Sequence, residues 1–331
     1  MAIHSKKRMK MSILRSRGAA LMLSLWALFL LSAMVISWAL DIDSRLALSG
    51  NANRVLVAEA MAASGSEVAL HPSIAPGSPN LHGKMGEREG YDVRMTGECG
   101  RLNLNLLAPG GAENRPLVEV LRRYLTLKGI ELNDLDTMID SLLDWISPNT
   151  GLHRLNAPAE SDDYHPARAP LTSVDELKKV FGWAEFTSKP GWDEDFTIVA
   201  NCGQVDLASA SRDMLRALPG MRDDLVDRFL QQRRGPDEID GTTDDFPFGG
   251  VAGVAGASVP GTIAGGSVPL DVQTALGFNP QQFQQIAHLV QFKGPVVRIL
   301  SLGRSGNITR SVEMVVLKGG GIPQLIRWKE L

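Results

Sequence analysis

Residues 19–40, AALMLSLWALFLLSAMVISWAL, contain neither a charge nor a proline. As a helix, these 22 residues span about 33 Å at 1.5 Å per residue, the thickness of a bilayer's hydrocarbon core. Such a stretch must sit in lipid or against other apolar helices, so the rest of the chain folds to one side of it. The flanks say which side. Lys6, Lys7, Arg8, Lys10, Arg15 and Arg17 precede it without an acid, and Asp41 and Asp43 follow it. The positive-inside rule then keeps the N-terminus cytoplasmic and exports everything beyond residue 41. An ordinary secretory signal has an apolar region of only about 7–15 residues followed by its cut; this one is long enough to remain as a single-pass anchor.

Composition limits what lies beyond. An apolar content of 44% with 21% charged residues is that of a folded globular protein, and the length leaves room for more than one domain. The formal charge is −3. Residues 1–18 hold six of the 34 basic residues, which leaves 28 against 37 acids, a charge of −9, for the remainder. An acidic body is a poor polyanion binder, because neutralised phosphates supply most non-specific nucleic-acid affinity. Two cysteines, Cys99 and Cys202, cannot build a zinc site alone, and no C-x-x-C or H-E-x-x-H occurs. Both fall on the exported side, where oxidising conditions permit a disulfide.

After the anchor, apolar residues continue at three and four spacing, at Leu46, Val55, Leu56, Ala60 and Met61. This predicts that the helix runs on as an amphipathic arm to about residue 64, with Gly50 a weak point. Residues 71–90 read as a loop and 91–96 as a short strand. Two related segments follow, ECGRLNLN at 98–105 and NCGQVDLA at 201–208, the second preceded by strand-like DFTIVA. They align as polar-Cys-Gly-polar-aliphatic-Asn/Asp-Leu and are expected to be two crossings of one sheet. That placement would let Cys99 and Cys202 bridge; two buried free thiols are the alternative. Helices are predicted at 115–128, ending at Gly129; at 133–146, with Asn133 as cap; and at 173–181, with Ser173 and Glu176 as a capping box. A helix pair flanks Leu218-Pro219-Gly220, over 209–218 and 221–232. The Gly-rich run 249–269 reads as a surface loop, 280–288 as a short helix, and 296–302, 309–317 and 324–328 as an antiparallel meander. The expected class is α+β: a long N-terminal helix packed on a small antiparallel sheet, with a large, mostly helical inserted domain.

These features, in this order, resemble a known family. The basic leader and Arg17-Gly18-Ala19 junction resemble the processing signal of type IV prepilins and pseudopilins, with a plain uncleaved anchor as the alternative. With GECGRLNLN, the LLDWI helix end, SDDY before PLTSVDEL, NCGQVDLASASRDMLRALPGM and the terminal LIRWKE, nearly the whole chain is similar to the minor pseudopilin GspK of type II secretion systems. The resemblance implies a pilin-like fold, divided as leader 1–18, transmembrane and assembly helix 19–40, helical arm and first strands 41–105, helical insertion 106–288 with a return strand near 195–207, and closing strands 289–331. It implies cleavage by prepilin peptidase between Gly18 and Ala19, an inner-membrane location, and a place at the pseudopilus tip with the minor pseudopilins GspI and GspJ, above the inner-membrane secretion platform. Counted from Ala19, the fifth residue is Leu23, where most pilins carry a glutamate; its absence is a feature of this family and fits a subunit with none above it. The small residues Ala20, Ser24, Ala27 and Ala33 would permit close helix approach during assembly.

Other readings of the same residues are weaker. LRALPGM resembles a helix-hairpin-helix turn, which would make the chain a DNA receptor for uptake, but Asp223 and Asp224 stand where such hairpins carry bases. Asp237, Glu238, Asp240, Asp244 and Asp245 share a Gly/Pro-broken loop, and Asp144, Asp162 and Asp163 bracket another. Oxygen ligands on loops suit Ca²⁺, and some members of the family bind it in the helical domain; the spacing is not an EF-hand, so solvated loop charge stands beside calcium at Asp237, Asp240, Asp244 and Asp245. No other cofactor is implied. The six histidines are scattered, and no catalytic pairing at a recognisable spacing nominates an enzyme.

Overall fold

The computed structural model describes residues 6–148, 154–242, 245–246, 268–319 and 321–331. Asp244 and most of the Gly-rich run expected at 249–269 lie outside them.

One helix, α1 (Lys6–Leu70), runs for 65 residues. It is proline-free and stops where His71 meets Pro72, since a residue before proline is pushed out of the helical region. The arm therefore extends a turn and a half beyond the expected residue 64. Its end is held from far along the chain: the Lys318 ammonium donates to the carbonyl oxygens of Ala69 (2.9 Å), His71 (3.0 Å) and Ile74 (2.7 Å). A cation there satisfies orphaned carbonyls and complements the helix dipole.

The arm has two faces. Ala58, Ala62, Ser66 and Ala69 are fully buried, whereas Leu46, Leu48 and Leu56 are exposed. The buried face lies on a five-stranded antiparallel sheet ordered β1-β2-β7-β8-β9, made of β1 (His82–Lys84), β2 (Glu89–Gly97), β7 (Val296–Ser305), β8 (Ile308–Leu317) and β9 (Gln324–Glu330). The contact is close because the facing residues are small. A Cβ at Gly303 of β7 would run into the Ala58 carbonyl oxygen and the Ala62 nitrogen, and one at Gly65 of α1 would lie 2.5 Å from the Ser301 hydroxyl. β1 and the 3-10 turn Pro79–Leu81 occupy part of what the sequence suggests is a featureless loop.

Everything from β3 (Leu102–Asn103) to β6 (Val290–Gln291) is inserted between β2 and β7. The insertion holds α2 (Arg115–Leu127), α3 (Leu132–Ile146), α4 (Ala184–Thr187), β4 (Phe196–Thr197), β5 (Val205–Asp206), α5 (Arg212–Ala217), α6 (Asp223–Arg234), α7 (Leu270–Ala275) and α8 (Pro280–Ile286). It has its own core, in which Tyr124, Trp183, Phe196 and Phe229 are the largest fully buried side chains.

Local signals are partly displaced. α3 starts at Leu132 with Glu131 before it and no side-chain cap, so Asn133 lies inside the helix instead of capping it. The segment after Ser173 is the 3-10 turn Val174–Lys179. Ser173 Oγ accepts from the Asp175 amide (3.2 Å), while the Glu176 carboxylate reaches back to the Thr172 amide (2.9 Å), one residue earlier than a capping box requires.

The two Cys-Gly segments are not crossings of one sheet. β3 pairs in parallel with β4, and β5 in parallel with β6, as separate two-stranded sheets apart from the five-stranded one. The return strand expected near 195–207 therefore never joins the α1 sheet. The likeness between the segments is nonetheless structural: Leu102-Asn103 and Val205-Asp206 occupy equivalent places, each opening a short parallel pair.

Candidate functional site: the assembly helix and the domain junction

Residues 19–40 of α1 are exposed on every side. Leu23 is 71% exposed. At 3.6 residues per turn, Ala20, Leu23, Ser24 and Ala27 share one face and Ala33 falls on the opposite one. Four of the five expected assembly positions thus form a patch, with Ala33 apart from it. Ser24 Oγ donates to the Leu21 carbonyl (2.8 Å), so this hydroxyl needs no outside partner in an apolar medium. A Gly18–Ala19 peptide lies inside the continuous helix. Among the described residues, Ala19–Leu70 is the one helix long and apolar enough to cross a membrane.

The second constellation is the junction that fixes the insertion to the sheet. Cys99 and Cys202 are joined, with 4.9 Å between their Cα atoms, and both are buried with Val199, Val296 and Val315. Beside them the fully buried Glu98 accepts from Arg298 Nε (2.8 Å) and from Thr197 Oγ1 (2.6 Å). Arg298 also donates to Glu313 (2.9 Å), which accepts from Arg327 (2.6 Å). Burial first, and the neighbouring Arg298 second, hold the Arg101 guanidinium below its usual range. This chain of alternating charges ties the end of β2 to β7, β8 and β9.

The equivalent Asn103 and Asp206 complete the junction. Asn103 Nδ2 donates to the carbonyls of Val199 (2.7 Å) and Cys202 (3.2 Å). Asp206 accepts from the amides of Ala208 (3.0 Å), Lys293 (2.8 Å) and Gly294 (2.7 Å). Burial pushes the Asp206 carboxyl above its ordinary range, against the pull of those amides and of Arg233. Arg233, itself buried, donates to the carbonyls of Leu207 and Ala210 (2.9 Å each) and grips Asp240 with two nitrogens (2.7 and 2.8 Å). Sequence reading quoted Glu98, Asn103 and Asp206 within their motifs but assigned them no role. Arg298 and Lys318 carried no local signal, since their partners lie far away in the chain, and the carbonyls that Arg233 holds, 23 and 26 residues upstream, left none either.

Of the expected calcium carboxylates, Asp237, Asp240 and Asp245 accept hydrogen bonds from within the chain, and Asp244 lies outside the described residues. Asp240 also accepts from Arg234 (3.0 Å), Asp237 from the Ile239 amide (2.8 Å), and Asp245 from the Gly241 amide (2.7 Å). Among the described residues no three His, Cys, Asp or Glu side chains are grouped to hold a metal ion. Around the helix-hairpin-helix turn Arg212 pairs with Asp227 (2.7 Å), Arg216 with Asp223, and Arg222 with Asp224 (3.1 Å); further on, Arg233 and Arg234 are held by Asp240, while Arg228 is exposed. The acids at the start of α6 occupy the dipole end that would otherwise receive phosphate.

Comparison with known proteins places this architecture. Residues 100–194, which run from the first Cys-Gly segment through α2, α3 and α4, match the family described as "Type II secretion system (T2SS), protein K". The whole fold is similar to a chain of the GspK-GspI-GspJ complex from the enterotoxigenic Escherichia coli type 2 secretion system, with a TM-score of 0.58 and 14% identity over 87% of this chain and 99% of that one. At that identity the likeness is one of fold. No curated protein matches the chain in sequence. The family match falls within the insertion, which begins beside the disulfide, and the likeness in fold extends to the α+β frame that carries it.

Proposed function

We propose that the chain caps the tip of a type II secretion pseudopilus. The observation carrying this reading is the union of two features along one continuous helix: an apolar segment, exposed on all sides and free of any carboxylate from Ala19 to Leu40, and, at its far end, a sheet that carries a bulky insertion. The first suits lateral packing among partner helices, in lipid before extraction and in a filament core afterwards. The missing acid at Leu23 suits a subunit with no neighbour above whose N-terminal amine would need pairing. The insertion adds volume where a further subunit would otherwise dock. In this reading prepilin peptidase cuts between Gly18 and Ala19. The chain sits in the inner membrane with the body periplasmic, and it joins partners of the GspI and GspJ type, the classes named in the complex whose fold it shares, above the secretion platform. It works as a structural subunit, and catalysis and nucleic-acid binding have no part in it.

Co-expression of the full chain with the GspI-type and GspJ-type subunits of the same secretion system tests the partnership. The expected product, by native mass spectrometry in detergent, is a complex with one copy of each. Recovery of the chain alone or only as a homo-oligomer contradicts it.

A further inference from the structure

Two hairpin tips and α1 enclose an open cleft of about 1140 Å³ at the end of the sheet nearest the membrane segment. Arg54 enters it from α1, Lys84 and Arg88 from the β1–β2 turn, and Arg304 from the end of β7. The tips are linked, as the Gly306 amide donates to the Arg88 carbonyl (3.0 Å). All four cationic side chains are exposed, and none has a hydrogen-bonding or ion-pairing side-chain partner among the described residues. This is unusual in a chain whose other arginines are largely paired. The acids here are fewer and partly committed: Asp92 pairs with His82 (3.2 Å), leaving Glu87 and Glu89.

We infer that this cleft is a docking site for an acidic polypeptide segment of a membrane-anchored partner. Charge selects an anion, and geometry selects its kind. Arg54 lies 14 residues past Leu40, about 21 Å along the helix, whereas the headgroup layer adds only about 5–7 Å beyond the hydrocarbon core. The cations thus stand more than a Debye length above the lipid surface, too far to be held by its phosphates. An open cleft whose cations come from three separate elements also fits spaced side-chain carboxylates better than one compact phosphate. The space between the domain and the bilayer is where the periplasmic stretch of an anchored protein would run.

The test uses the full chain in phosphatidylcholine nanodiscs and a fluorescein-labelled peptide of ten glutamates. Saturable binding is expected, weakened about tenfold or more when Arg54, Lys84, Arg88 and Arg304 are all changed to Gln, because four exposed contacts are lost together. Changing four exposed cations elsewhere, Lys179, Lys189, Arg228 and Lys329, to Gln should leave binding within about twofold. Equal weakening by the control set overturns the assignment, as does displacement of the peptide by inorganic phosphate at matched charge or preferential capture of phosphatidylglycerol vesicles. Should the quadruple variant misfold, Arg304→Glu alone must weaken the peptide, and unchanged binding by that variant overturns the site.

Discussion

At the scale of single residues the account rests on buried polar groups that hold two domains in one orientation. Glu98 is the clearest. It is fully buried, and both its oxygens are used, by Arg298 and Thr197. Removing Glu98's charge costs its charged hydrogen bonds, about 1.5–3 kcal/mol, because Arg298 keeps Glu313 as a second partner. Glu98→Gln should therefore lower stability by about that amount in urea denaturation, and the double variant with Arg298→Met should lose less than the two single changes together. Asp206 makes a prediction in pH. Its carboxyl is raised from an ordinary value of 3.8 by burial, so between that value and its raised one the folded chain binds more protons than the unfolded. Its contribution is then fully present below the unfolded value and is lost as pH rises through the folded one. Relative to Asp206→Asn, the native chain should lose stability as pH rises above about 4, measured by denaturant midpoints at each pH; a gap that is constant or moves the other way contradicts this. These roles were hidden in the sequence for a physical reason. Glu98, Asn103 and Asp206 stand in visible motifs, but a buried polar side chain is explained by its partners, and here those are a strand 200 residues away or distant backbone carbonyls and amides.

At the scale of elements, the contact between α1 and the sheet depends on missing side chains. Gly303 has no room for a Cβ against Ala58 and Ala62, while Gly50 in the same helix has nothing within 4 Å. The two glycines should respond oppositely. Gly303→Val should cost about 1–3 kcal/mol or more by overpacking, seen as a lower melting temperature of the detergent-solubilised chain. Gly50→Ala should raise stability by up to about 1 kcal/mol, because alanine loses less conformational freedom in a helix. The apolar periodicity of the arm and the alternation of the last three strands were legible because helices and strands that bury one face must write their period into the chain. The short parallel pairs were not legible, since two-residue strands leave no period to read; what remained visible was the internal likeness of ECGRLNL and NCGQVDL, which predicted similar local structure but not which sheet received it.

For the whole molecule, the order of segments mattered more than any one of them. The uncharged helix at 19–40, the paired Cys-Gly segments and the terminal meander together indicated a pilin-like frame with a helical insertion, and the protein K match at residues 100–194 falls inside that insertion. The location of the chain on assembled filaments tests the tip reading most directly. With an epitope tag at the C-terminal Leu331, exposed beyond the edge strand β9, immunogold microscopy of pseudopili should place label at one end of each filament and nowhere along the shaft. Label distributed along the shaft, or filaments of normal length and number carrying none, would contradict the account.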